Sequence, residues 1–197
     1  MSEESVPSVP FVASSVPWLF SEPELAARFC AAGRSWVGTP FAGHSRAKGV
    51  GGGIDCVGFI EEWFAEAVPA APRFNFPRSD ADYKSHCHNT KILEYLRGQH
   101  PDPQSKVLAA FFQELTDLDT LVPVPKWPDN LVRNTGLMTG DLLVIKAQIP
   151  GVWHLPAMLD DRSFLHCAYP LGVTEADITQ HEFRSRLKAA FRARAPS

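Results

Sequence analysis

The apolar residues of this chain change period along its length, and the change divides it into a helical part and a strand-rich part. Leu25, Phe29, Ala32 and Trp36 recur every three or four positions, which predicts one buried helical face. Ser21-Glu22-Pro23-Glu24 ahead of them supplies a helix start, with Ser21 as N-cap, and Gly38-Thr39-Pro40 supplies a stop. A glycine-rich loop from Ala42 to Gly53 follows, carrying His44, Arg46 and Lys48. Asp55 as N-cap and Cys56 after it open a second helix, with a wide stripe of Val57, Phe59, Ile60, Trp63, Phe64 and Ala67 and with Glu61, Glu62 and Glu66 as its polar positions. Pro69 and Pro72 end it.

Beyond Thr139-Gly140 the pattern shortens. Asp141–Ala147, Trp153–Leu159 and Phe164–Tyr169 read as strands, the last two joined by a turn at Asp160-Asp161-Arg162. If that turn centres on Asp160, His154 and His166 face each other across a hairpin. The basic segment 175–194 reads as partly helical. Residues 1–20 have no period and read as an N-terminal arm. The remainder, 21–197, is expected to form a single domain with a helical insertion at about 70–136, its helices near 89–98 and 104–118. Helices first and an antiparallel sheet last make the fold class α+β.

Composition narrows the function. The 197 residues are 45% hydrophobic and 21% charged, a globular balance. A formal net charge of −3 excludes a generally basic nucleic-acid binder, and no apolar run is long enough for a membrane insertion. The N-terminal Met-Ser-Glu-Glu is acidic where a signal peptide is basic, so synthesis in the cytoplasm without a signal peptide is expected. Four cysteines (Cys30, Cys56, Cys87, Cys167) without a C-x-x-C pair do not make a zinc site. In His86-Cys87-His88 the three side chains diverge, so neither a metal nor a cofactor is expected.

Two sets of residues carry candidate chemistry. Cys56 falls in the first turn of a helix, where the partial positive charge and open N–H groups favour a thiolate. It is either a nucleophile or a small residue at a helix start. His154 and His166 are either a base with its orienting partner or two hydrogen-bonded histidines on a strand face.

The segments Ala32–Phe41, Gly53–Ile60, Gly140–Leu143, His154–Leu159 and Phe164–Ala168 resemble, in that order, the NlpC-type cysteine peptidases, papain-like hydrolases of bacterial cell-wall peptides. The likeness covers roughly 24–68 and 137–192 and is closest to the phage-tail and gene-transfer-agent branch. It implies a papain-like fold with the nucleophile at a helix start packed on a small antiparallel sheet. It implies Cys56 as nucleophile, His154 as general base and His166 as its orienting partner, with the Cys56 N–H as oxyanion donor. Asp55 would bind the free amine of a peptidoglycan stem peptide, and Phe41 would line the substrate site in place of a tyrosine. Val57 replaces a serine of many relatives, and Pro156 breaks the strand that carries His154.

The activity implied is a D,L-endopeptidase acting at the cell wall or periplasm, delivered by a virion or tail-like particle with whose proteins it would associate. The alternatives are a non-catalytic tail or assembly protein retaining the fold, and a thiol acyltransferase or amidase with another substrate.

Overall fold

A computed structural model describes residues 17–43, 45–69, 121–123, 136–146 and 153–195. The helices expected near 89–98 and 104–118 lie outside the described residues, as do residues 1–16 of the arm and His86-Cys87-His88.

Helix α1 spans Pro23–Arg34 and buries Phe29 and Gly33. Its N-cap is Glu22, not Ser21, and no side chain caps it. The Ser21 hydroxyl instead donates to the Trp18 carbonyl at 2.7 Å, because the chain arrives already folded back at residues 18–21. Helix α2 spans Cys56–Ala67, and here the expected cap forms: the Asp55 carboxylate accepts from the Gly58 N–H at 2.7 Å. The helices meet through Trp63, whose indole stacks on Phe29 with ring centroids 4.2 Å apart and donates to the Phe29 carbonyl at 2.7 Å. A Cβ at Gly33 would stand 2.4 Å from that indole, so the close approach depends on glycine.

Between the helices the glycine-rich loop forms a small hairpin, β1 (Arg46–Ala47) with β2 (Gly53–Ile54). The main sheet comprises β3 (Leu121–Pro123), β4 (Leu142–Lys146), β5 (Trp153–His154), β6 (Ala157–Met158), β7 (Ser163–Ala168), β8 (Gly172–Asp177) and β9 (Leu187–Ala193). Its spatial order is β3-β9-β4-β6-β7-β8, with β5 also on β4, and every pair is antiparallel. A single turn of helix, α3 (His181–Arg184), joins β8 to β9.

Strand alternation sorts the side chains into two layers. Leu142, Val144, Leu165, Cys167, Val173 and Phe191 face α1 and α2 in the main core. Leu143, Ile145, Met158, Phe164, Ile178 and Ala190 form a second core on the opposite face. Trp63, Phe29 and Phe59 are fully buried, each worth roughly 2–3 kcal/mol of apolar transfer. An ion pair locks the sheet: both oxygens of the fully buried Asp141 accept from Arg192, at 2.8 Å each.

Three expectations change. The segment 175–194 is mostly strand, because Leu187–Ala193 alternates between the two cores and supplies β4 with its outer partner. Its helical part is confined to the four residues of α3. At the inner end of the expected arm, Leu19 and Phe20 are buried and the Leu19 N–H donates to the Ala193 carbonyl. The hairpin pairs Ala157 with Leu165 and Met158 with Phe164, so His154 and His166 are not directly opposite. Pro156 lacks an N–H, the strand breaks at Leu155-Pro156, and β5 leaves β7 to pair with β4 through Ile145 and His154.

Candidate active site

Cys56 is the first residue of α2, separated from the short extended strand β2 by Asp55 alone. The Thr39–Ala42 segment brackets that strand: Ile54 N–H donates to the Pro40 carbonyl and Ala42 N–H to the Ile54 carbonyl. Phe41 is thereby held beside Ile54, half-buried, its ring edge-on to Tyr169 at 5.9 Å. The backbone N–H groups of Leu155, Val57 and Cys56 itself all act on the sulfur in favour of thiolate, Leu155 foremost. The Leu155 contact brings the thiol to the residue next to His154.

The helix start does not by itself make this thiol acidic. Burial of the sulfur, with the Asp55 charge adding to it, pushes Cys56 up to about 11 against the pull of those three N–H groups. Some of the Cys56 surface is still open to solvent. The other described thiols are packing residues: Cys30 donates to the Leu159 carbonyl and Cys167 to the Ile54 carbonyl.

The two histidines are in contact although their strands are out of register. His154 Nε2 and His166 Nδ1 are 2.8 Å apart, with the rings edge to face. His166 Nε2 lies 3.1 Å from the Thr174 hydroxyl, directly across the β7–β8 ladder. Phe164 and Phe183 close the rest of the His166 ring. Burial holds both imidazoles neutral, His154 down to about 3 and His166 down to about 4; the Arg186 charge lowers both, and His166 adds to the effect on His154. The pairing occupies Nε2 of His154 and leaves Nδ1 as the ring nitrogen outside it.

Both oxygens of Asp55 are engaged. One oxygen caps Gly58, and the other is 3.3 Å from the Arg46 guanidinium, which also reaches the buried Glu61 at 3.4 Å. Glu61, one of the expected polar positions, thus faces inward to meet a cation brought by the β1–β2 hairpin.

Sequence reasoning placed Cys56, Asp55, His154 and His166 among the candidates and missed Thr174, the Leu155 N–H and the role of Arg46. Thr174 escaped because the strand containing it begins within a glycine turn and runs into a segment read as helical. Only the pairing of β8 with β7 brings its hydroxyl to a ring nitrogen. No group of three His, Cys, Asp or Glu side chains among the described residues is arranged to hold a metal ion. No described helix is long and apolar enough to cross a membrane.

The fold has a solved counterpart in a lipoprotein-like protein of the NLP/P60 family from Staphylococcus aureus subsp. aureus Mu50. The superposition has a TM-score of 0.52 at 14% sequence identity. It covers 94% of this chain but 46% of that one, so the chain spans less than half the length of its counterpart. The two share a fold. That fold is the α+β, papain-like arrangement expected from the sequence, with helices packed on an antiparallel sheet. No family model and no curated protein matches the chain.

Proposed function

We propose that this protein is a cysteine hydrolase that cleaves an amide bond in peptidoglycan stem peptides, acting as a D,L-endopeptidase. The observation that carries the reading is the 2.8 Å pairing of His154 with His166 beside a helix-start cysteine whose sulfur meets the Leu155 N–H. A nucleophile, a base and an orienting partner are the parts acyl transfer requires.

In this reading the Cys56 proton passes to His154 Nδ1 as sulfur attacks the carbonyl. Burial disfavours thiolate and imidazolium separately, but formed together their opposite charges offset one another, so the resting pair is neutral and charge develops only on attack. The Cys56 N–H donates to the resulting oxyanion. His154 then returns its proton to the leaving amine, and water, deprotonated by the same imidazole, releases the acyl group. Asp55 receives the free amine of a shortened stem, and Phe41, packed edge-on against Tyr169, lines the substrate site. The expected site of action is the cell wall, reached by way of a tail-like particle.

The test is digestion of defined muropeptides by the wild-type protein and by Cys56→Ala. New amine termini from the wild type alone are expected. Their absence from both removes the hydrolase reading and leaves a fold retained for assembly.

A further inference from the structure

Resting on Cys56, His154 and His166 as nucleophile, base and orienting partner, the hydrogen-bond chain can be followed one residue further. We propose that Thr174 is a positioning residue whose hydroxyl oxygen accepts the His166 Nε2 proton and so holds His166 with Nδ1 as the acceptor for His154.

The argument is one of proton counting along a single line of atoms. His154 Nε2, His166 Nδ1, His166 Nε2 and Thr174 Oγ1 follow one another at 2.8 and 3.1 Å from β5 to β7 to β8. While both rings are neutral, the chain of donors can run in either direction, because a hydroxyl both donates and accepts. In one direction Thr174 donates to His166 Nε2, His166 Nδ1–H donates to His154 Nε2, and His154 carries its only proton on Nδ1. It then has no lone pair for the thiol. In the other direction His154 Nε2–H donates to His166 Nδ1, His166 Nε2–H donates to Thr174, and Nδ1 of His154 is a base.

Proton transfer from Cys56 removes the ambiguity. Imidazolium at His154 carries protons on both nitrogens, so His166 Nδ1 must accept, its own proton must sit on Nε2, and Thr174 must accept it. No proton leaves the chain, and none is created. Thr174 therefore favours the resting tautomer from which Cys56 can transfer its proton, and accepts in the state that follows, over the tautomer that has no base. The site offers that proton little else. His166 is 7% exposed, its ring lies against Phe164 and Phe183, and the charged group that acts on it is Arg186, which cannot accept. On the thiol side Cys56 is faced by Asp55, with Cys167 of β7 also within electrostatic reach.

Two measurements test this without any peptidoglycan, so a failure on muropeptides and a failure here are distinguishable. The first is the pH profile of Cys56 alkylation by iodoacetamide, read at the single cysteine by peptide mass mapping. Thr174→Val keeps the strand-compatible shape and removes the acceptor; it is expected to slow Cys56 roughly tenfold between pH 6 and 8, the scale of one lost buried hydrogen bond. Thr174→Ser restores the hydroxyl and is expected within about twofold of the wild type. Equal rates in Thr174→Val and the wild type, or equal losses in the valine and serine variants, overturn the proposal. The second uses the unmodified protein and is independent of whether a variant folds. Nitrogen-15 spectra of the histidine rings are expected to show His166 protonated at Nε2 and His154 protonated at Nε2. A proton on His166 Nδ1 overturns it.

Discussion

The Arg46 guanidinium reaches the Asp55 carboxylate at 3.3 Å across the space that a side chain at position 58 would occupy. The glycine-rich hairpin is thereby fastened to the start of the helix that carries Cys56. A carboxylate one residue before Cys56 acts on the thiol through its charge and on the helix through its cap, and these two effects separate experimentally.

Asp55→Asn keeps the cap, since asparagine caps as well as aspartate, but removes the charge that helps to raise the Cys56 thiol. Alkylation of Cys56 at pH 7.5 is expected to rise by about threefold or more. Hydrolysis of a stem peptide with a free amine is expected to fall by about tenfold or more, because the amine loses its counter-charge. A fall in both, or in neither, contradicts the two roles.

Gly58→Ala places a Cβ 2.1 Å from Arg46 Nη1. That guanidinium is held on both sides, by Asp55 and by Glu61, and has little room to yield. A loss of about 2 kcal/mol in urea unfolding is expected, the scale of overpacking. A paired Gly58→Ala, Arg46→Ala variant is expected to lose less than the sum of its parts.

The neutral histidine pair makes the fold acid-sensitive. In the unfolded chain His154 and His166 take up protons as pH falls through the ordinary range near 6.5; in the folded protein they do so only near 3 and near 4. The unfolded state therefore binds more protons throughout that window, and stability decreases as pH drops from about 6.5 towards 4. Urea midpoints across this range should show the decrease, and His166→Asn should flatten it.

Asp141 lies wholly inside the sheet, and burial raises its carboxyl even with Arg192 holding both oxygens. Arg192→Met is expected to cost about 3 kcal/mol at pH 7, the scale of breaking a buried pair from one side. The variant should regain stability on mild acidification, because the carboxyl, raised further, is then neutral in the folded state. Arg192→Lys should recover only part of the loss, lacking the two-pronged geometry.

The helix that carries Cys56 was legible because its signals are local: a capping aspartate, an apolar stripe and a proline beyond its end. The first helix was legible for the same reason, except at Ser21, where the preceding residues decide what the hydroxyl bonds. The C-terminal strand was not legible. Leu187–Ala193 is basic and alanine-containing, and its strand character comes from the unfilled edge of β4 and the two cores on either side of it. Glu61 was read as polar and is buried, because the cation it meets stands fifteen residues earlier on another element.

By itself, then, the sequence determined the order of helices and strands, the α+β class, and which cysteine and which histidines to watch, since each depends on residues close together in the chain. The tertiary structure alone decided how those residues interact. The hairpin centres on Asp161, not Asp160, which takes the histidines out of the register that would have set them directly opposite, yet His154 Nε2 and His166 Nδ1 are 2.8 Å apart. Pairing of β8 with β7 supplied Thr174 to the chain. Burial reversed the acidity expected of the thiol. Registers, long-range partners and desolvation are properties of packed surfaces, and no local pattern of residue types encodes them.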